Sequence, residues 1–369
     1  MKAIAFSGTL DPITNGHMWV IGEARALADE VIVFLSENPF KKPLFPAEDR
    51  QRIVERSVAE RGWTNVRVIV VRGDYTARAA KRHGIDYLIR GIRNTADFDY
   101  ENLIQQANVD VLHGAKTIFV MPPRDLGSVS SSFVRGLQGP VGWHWMTRQF
   151  IPGPAYQEWV LAWLRTEWRA LWPGEDQWFE RLTGPTAYGG PDRPYHNLDH
   201  LVHGLTEIRI WAENTGSTPE DMAVLKKAFW FHDAVYIHGP QEVSNEEASA
   251  RLWLGSGLPD ARADEVAALI RATDHFQTEA INHPLKPAML GADLAILGQD
   301  PQQYDSYAAA IRQEYAVVPD PVYREHRTRA LRTLRDKAAR AELFTDAWFA
   351  SLYSERAREN LERELHSLE

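Results

Sequence analysis

Residues 7–17 read Ser7-Gly8-Thr9-Leu10-Asp11-Pro12-Ile13-Thr14-Asn15-Gly16-His17, and this stretch decides the fold. Ahead of it lies Ala3-Ile4-Ala5-Phe6, short and apolar, as a covered strand should be. Behind it a helical pattern runs from Gly16 to Ala28. Glycine and proline shape the turn between them. Strand, glycine-bearing turn and helix start make a place for phosphate, because a helix N-terminus exposes unpaired N–H groups at its positive end. His17, in the first helical turn, can donate a hydrogen bond to a phosphate oxygen.

Working outward, the same alternation continues. Further β-rich runs are Glu30 to Leu35, Arg67 to Val71, Tyr87 to Ile89 and Thr117 to Val120. Helical patterns separate them at Pro46 to Arg61, Tyr75 to His83 and Phe98 to Leu112. Nearly continuous apolar strands alternating with helices predict an α/β doubly wound parallel sheet, Rossmann-like, with its ligand at the carboxyl ends of the strands. Three polar segments follow strands at that edge: Lys41-Lys42-Pro43, Arg90-Gly91-Ile92-Arg93 and Ser128-Val129-Ser130-Ser131-Ser132. Alone, the lysines read as a solvated turn and the serines as a helix cap. Together they predict one polyphosphate cradle at one rim, shared by His17, Lys41, Arg93 and Ser131.

Composition narrows the classes. The chain has 369 residues, 44% hydrophobic and 25% charged, the mix of a globular protein of two domains. Lysine plus arginine is 41 and aspartate plus glutamate 50, a net charge of −9, which argues against a dedicated duplex-DNA binder. With no cysteine there is no disulfide, thiolate metal site or cysteine nucleophile, so any metal must use His, Asp or Glu. No signal-peptide core and no membrane-length apolar run is found, so a cytoplasmic address without membrane or nucleic-acid partners is expected.

The first part resembles the phosphopantetheine adenylyltransferase family of the nucleotidyltransferase superfamily. The likeness runs through Gly8 to His17, Asn38-Pro39-Phe40-Lys41-Lys42-Pro43, Ile89 to Arg93, Asp97-Phe98-Asp99-Tyr100-Glu101 and Ser130 to Ser132. It implies adenylyl transfer from ATP to 4′-phosphopantetheine with Mg2+, in a homo-oligomer. His17, Lys41 and Arg93 would be catalytic. Thr9, Lys41, Thr76, Arg90 and Asn108 would hold the acceptor. Thr9, Leu10, His17, Gly91, Ile92, Arg93 and Glu101 would hold ATP with the loop Leu126, Gly127, Ser128, Val129, Ser130, Ser131 and Ser132. Phe6-Ser7 replaces the usual Tyr-Pro, Gly136 a usual Glu, and Thr76 an apolar residue. Another phosphorylated acceptor, such as a nicotinamide mononucleotide-like one, is the alternative.

After about residue 150 no strand pattern remains. The expected division is 1–164 and 165–369, the second part all-α. Its helical patterns include Tyr156 to Trp172, Asp221 to Val235, Ser244 to Leu254, Ala263 to Thr273 and Pro321 to Glu342. Tyr195-His196-Asn197-Leu198-Asp199-His200, Phe231-His232-Asp233 and Ala292-Asp293 lie among apolar neighbours. An ionised aspartate there is costly unless paired or metal-bound. Two histidines and two aspartates suit Mn2+, Fe2+, Co2+ or Mg2+, with open positions for water activation.

This part resembles the HD-domain metal-dependent phosphohydrolase superfamily, through Tyr195 to His200, Phe231 to Tyr236, Asn245-Glu246-Glu247, Thr273 to His275, Asp293 to Gly298 and Ala357 to Leu361. By that likeness His200, His232, Asp233 and Asp293 are metal ligands. His196 is a near-site residue or alternative ligand, and Asp199 and His275 meet substrate or a second metal. Gly291 stands where an aspartate is common. A non-catalytic, nucleotide-sensing helical domain is the alternative. Of the thirteen tryptophans, those at 143–145 and 159–178 read as domain-interface packing. His203 and His238 read as surface or outer-sphere residues, and Glu355 to Glu369 as a solvated helix.

Overall fold

The computed structural model describes residues 1–37, 42–111, 113–239, 242–275 and 281–368. They form two compact units, 1–159 and 160–369.

The first unit alternates as the sequence predicts. Its elements are β1 (Ala3–Gly8), α1 (Asn15–Leu27), β2 (Glu30–Ser36), α2 (Ala47–Glu60), β3 (Val66–Val71), α3 (Thr76–Arg82), β4 (Tyr87–Gly91), α4 (Thr95–Gln106), β5 (Lys116–Val120), α5 (Ser131–Gly136) and α6 (Trp143–Arg148). A π-helical turn, Ala107–Val111, follows α4. The sheet is parallel throughout, in the order β3-β2-β1-β4-β5. The chain winds out from β1 to one edge through β2 and β3, then crosses back to β4. That reversal leaves a crevice above the carboxyl ends of β1 and β4, where doubly wound sheets bind ligands. The central strands are apolar on both faces: Ile4, Ala5, Val31, Ile32, Val33 and Phe34 are buried. On one face Ala77, Ala79 and Ala80 of α3 pack on Ala5, Ile32, Phe34 and Leu88.

A long helix, α7 (Gly153–Leu171), contains the division between the units. The second unit continues with α8 (Asp176–Thr183), α9 (Leu198–Thr215), α10 (Pro219–Phe231), α11 (Asn245–Leu254), α12 (Ala263–Arg271), α13 (Lys286–Leu294), α14 (Pro301–Glu314), α15 (Asp320–Ala339) and α16 (Ala347–Leu368). Among the described residues no strand occurs beyond β5, so this unit is helical.

Helix α9 is its central rod, buried along Leu201, Val202, Gly204, Leu205 and Ile208. Of the tryptophans read as interface packing, Trp168 and Trp172 are buried in this unit's core. Trp168 stacks near Trp172 (4.3 Å) and edges onto Trp230 (5.1 Å), and Trp253 packs on Phe231 (5.1 Å). The C-terminal helix differs from expectation too. Tyr353, Ala357, Leu361 and Leu365 form a buried stripe on α16, and Asn360 donates to the carbonyls of Leu297 and Gln299 (both 2.9 Å). His203 is likewise buried, with Nε2 3.3 Å from Glu207.

Candidate functional site

The turn after β1 is held by side chains that reach across the strand ends. Leu10 takes a positive φ of 49°, and the next carboxylate fixes the turn from beneath. Asp11 is buried and accepts the backbone N–H groups of Leu44 (2.8 Å) and Phe45 (3.1 Å). Arg50 of α2, also buried, donates to the carbonyls of Thr9 (2.5 Å), Ser36 (3.3 Å) and Phe45 (3.2 Å). Two connections, β1–α1 and β2–α2, are thereby tied at one point under the crevice. The sequence reading missed both residues in these roles.

Above them lies a cleft of about 1230 Å³. From the β1–α1 turn it takes Thr9, Leu10 and His17, and from β4 and the following turn Arg90, Gly91 and Arg93. Helix α4 supplies Glu101 and the π-turn supplies Asn108. Thr76 opens onto it from the start of α3, and Leu126, Val129, Ser130, Ser131 and Ser132 from the loop before α5. Of the expected ATP-binding residues, Ile92, Gly127 and Ser128 do not line it. Ile92 is buried, its N–H bound to the Val120 carbonyl (2.8 Å). Lys41 lies outside the described residues, and its neighbour Lys42 is at the wall.

The charges are set before any ligand arrives. Arg93 is gripped by Asp97 through Nε (2.6 Å) and Nη2 (3.1 Å). Its guanidinium holds the Asp97 carboxyl below the usual carboxylate range. Arg90 is paired with Glu101 (Nε to Oε2, 2.9 Å) and also donates to the Ser7 carbonyl. His17 is pushed down to about 3, first by burial and then by Arg90 and Arg93, so the ring is neutral at ordinary pH. Ser131 donates to the Pro12 carbonyl (2.8 Å), fastening the serine loop to the β1–α1 turn. A cleft with two fixed guanidiniums and neutral donors suits a polyanion that needs alignment rather than deprotonation.

Known proteins share this arrangement of sequence. The cytidylyltransferase-like family matches residues 5–137. A phosphopantetheine adenylyltransferase of Chromobacterium violaceum is 37% identical over 158 residues, 43% of this chain and 95% of that protein. One from Actinobacillus succinogenes is 40% identical over 154 residues (42% and 92%), and one from Neisseria meningitidis 33% over 161 (44% and 93%). The chain belongs to the phosphopantetheine adenylyltransferase family. That membership is carried by about its first 150 residues, the part that builds the cleft.

Beyond the adenylyltransferase part, the helical unit gathers a second cluster. His200 stands in the first turn of α9, which Asn197 caps by accepting the N–H groups of Asp199 (2.8 Å) and His200 (3.4 Å). Helix α10 delivers His232 and Asp233 at its C-terminus, and α13 delivers Asp293. Donor atoms of His200, His232 and Asp293 lie within 4.8 Å of one another. Asp233 Oδ2 approaches His200 Nε2 (3.5 Å) and His232 Nε2 (3.1 Å), while Asp293 Oδ1 is 3.6 and 3.3 Å from the same nitrogens.

The donor set fits a divalent cation. His232 gives its Nδ1–H to the Phe229 carbonyl (2.8 Å), so Nε2 is the nitrogen that faces the cluster. Two imidazole nitrogens only 3.1 Å apart, with two carboxylates around them, make a nitrogen–oxygen set of the kind first-row dications take. His232 beside the two aspartates holds both carboxyls below their usual range against the burial that opposes it.

The surroundings were only partly legible. Arg193, buried, donates to the carbonyls of Asp233 (2.6 Å) and Ala234 (3.2 Å) just past α10, which stops at Phe231 rather than the expected Val235. His275 Nε2 meets Asp293 Oδ2 (2.9 Å). Asp199 is half-buried at the start of α9. A Cβ at Gly291 would sit 2.2 Å from the Phe349 ring, so an aspartate there has no room. Among the described residues no helix is long and apolar enough to cross a membrane.

Proposed function

We propose that the chain is a two-part cytoplasmic enzyme. The first unit transfers the adenylyl group of ATP to 4′-phosphopantetheine, giving dephospho-coenzyme A and pyrophosphate. The second binds a divalent cation and hydrolyses a small phosphorylated compound.

One observation carries the first part: His17, Arg93 and Ser131 face a single cleft at the sheet's reversal point. An oxygen of the acceptor's terminal phosphate attacks the α-phosphorus, and the bond to the bridging oxygen breaks with pyrophosphate as leaving group. The nucleophile is already anionic, so no general base is needed. His17 donates to the reacting phosphates, Arg93 and the serine loop hold the triphosphate, and Arg90 and Thr9 hold the acceptor phosphate with Thr76 and Asn108 beside its arm. Mg2+ accompanying ATP supplies charge neutralisation.

In the second part His200, His232, Asp233 and Asp293 would hold Mn2+, Fe2+, Co2+ or Mg2+, which when bound supplies Lewis-acid activation of phosphate and water. The convergence of the two imidazole nitrogens and two carboxylates supports this reading.

The deciding experiment follows pyrophosphate release from ATP with 4′-phosphopantetheine or nicotinamide mononucleotide, and phosphate release from a panel of phosphoesters with Mn2+ or Mg2+. No pyrophosphate with the pantetheine acceptor overturns the first assignment. Nucleotide binding that needs no metal, with no phosphate released, would make the helical unit a sensor.

A further inference from the structure

We infer that the connection ahead of α9 is a clamp on Asp233, in which Tyr188 and Arg193 are positioning residues that fix the backbone carrying this carboxylate at the helical unit's cation centre. The inference rests on the metal reading of that centre and gives a task to a segment that supplies none of its ligands.

Residues 184–194 read Gly184-Pro185-Thr186-Ala187-Tyr188-Gly189-Gly190-Pro191-Asp192-Arg193-Pro194. Such a composition ordinarily makes a solvated loop. Here the segment winds back on itself. The N–H groups of Ala187 and Gly189 both donate to the Gly184 carbonyl (3.1 Å each), and that of Tyr188 to the Leu182 carbonyl (3.0 Å). A Cβ at Gly189 would fall 2.2 Å from the Thr183 carbonyl oxygen, so the winding needs glycine there. Tyr188 and Arg193 are both buried, at 1% and 6% exposure.

The two side chains meet Asp233 at opposite ends of its backbone. Its N–H donates to the Tyr188 hydroxyl oxygen (3.2 Å), and its carbonyl accepts from Arg193 Nη1 (2.6 Å). Arg193 Nη2 donates to the next carbonyl, that of Ala234 (3.2 Å), so the planar fork spans two successive peptides. The guanidinium lies over the rings of Tyr188 (5.5 Å) and Tyr236 (5.7 Å). Tyr236 in turn stacks on His196 (centroids 4.1 Å apart, 28° between planes), which Glu314 holds through Nδ1 (2.7 Å). The fork cannot swing away without disturbing two rings.

What the clamp fixes is a ligand. Asp233 Oδ2 stands 3.1 Å from His232 Nε2 and 3.5 Å from His200 Nε2. Asp233 lies past Phe231, the last residue of α10. One methylene separates its backbone from its carboxyl, so a shift of the peptide carries the oxygens with it. An arginine that only capped the negative end of α10 would explain the bonds to the carbonyls. It gives no reason for Tyr188, which accepts an N–H from the same residue. Nor does charge explain Arg193, since a guanidinium repels a cation nearby; its service to the centre is geometric.

The test is Co2+ titration of the full-length chain, read by visible absorption, beside urea unfolding of the metal-free chain. Tyr188→Phe keeps the ring and removes the oxygen that accepts from Asp233; it is expected to weaken Co2+ binding about 10-fold. Arg193→Lys keeps the charge and removes the fork; it is expected to weaken binding about 10- to 100-fold and to shift the absorption bands. If Arg193→Lys does not fold, Tyr188→Phe carries the measurement. Folded variants that bind Co2+ within about twofold of wild type, with unchanged bands, overturn the inference and leave the four-ligand centre standing, whatever they lose in urea. A wild-type chain that takes up no Co2+ overturns the metal reading and this inference together.

Discussion

Thr14 and His17 hold each other across the first turn of α1. The Thr14 N–H donates to His17 Nδ1 (3.0 Å), and the His17 N–H donates to Thr14 Oγ1 (3.4 Å). The cap that starts the helix therefore also selects the tautomer: Nδ1 accepts, so the ring's hydrogen sits on Nε2. His17→Ala should lower the turnover of adenylyl transfer about 10²- to 10³-fold, the usual loss for one transition-state donor, with pyrophosphate release as the readout.

The same ring makes a statement about pH. Its folded value of about 3 lies below the ordinary 6.5, because burial, Arg90 and Arg93 all oppose a proton there. The pH profile of adenylyl transfer should show no limb from His17 between about pH 5 and 9. The sign for stability follows: as pH falls from 6.5 towards 3 the unfolded chain takes up a proton that the fold refuses, so stability drops over that window. Chemical unfolding of wild type and His17→Gln at pH 7 and 5 checks this. A variant as acid-sensitive as wild type in that window removes the assignment.

Asp11 and Arg50 should matter to activity without touching ATP's reacting atoms. Asp11→Asn keeps the shape but turns an amide N–H₂ toward one of two backbone donors, costing about 1–3 kcal/mol. Urea unfolding should register that loss, and turnover should fall because Thr9 at the cleft wall and the Leu44–Phe45 segment meet at the same tie. Equal stability and turnover in variant and wild type would show that the tie is idle.

How far the sequence reached depends on the range of the interactions involved. The strands were readable because β1 and β2 are covered on both faces and spell themselves as unbroken apolar runs. His17, Arg90, Arg93 and the serines at 130–132 followed because their polar segments come after strands, whereas Thr76, Glu101 and Asn108 were named only through the family resemblance. Arg50 was not legible: on α2 it is one charge among many, and only the meeting of the Thr9, Ser36 and Phe45 carbonyls gives it a partner. Glu314 is 118 residues from His196, and no local pattern announces it. The stripe on α16 was hidden by the charges interleaved with it. Arg193 reaches the carbonyls just past α10 from 40 residues away, a partner that periodicity, which would have continued the helix, does not announce.

Gly204 of α9 lies under the ring of Phe229, where an added Cβ would fall 1.9 Å from Cζ. Gly204→Ala must push that ring, and overpacking of this kind costs about 1–3 kcal/mol. The Phe229 carbonyl also orients His232, so the variant should lose cation affinity along with stability. Thermal unfolding and Mn2+ titration report the two effects separately. Unchanged Mn2+ affinity in a destabilised variant would uncouple Phe229 from the centre.

The two sites should separate under ligand substitution. Asp293→Asn removes a charge from a carboxylate that meets His200 and His232 through one oxygen and His275 through the other. In the metal-free chain this leaves the imidazoles with weaker partners; in the loaded chain it removes an anionic donor. Metal content after dialysis against Mn2+ should fall from near one equivalent to background on the helical unit's account, and metal-dependent phosphate release should go with it. Adenylyl transfer by the same preparation should persist, since His17, Arg93 and Ser131 owe nothing to Asp293. Loss of pyrophosphate release together with metal content would mean that the helical centre supports the transfer reaction, and the division of labour proposed above would fail.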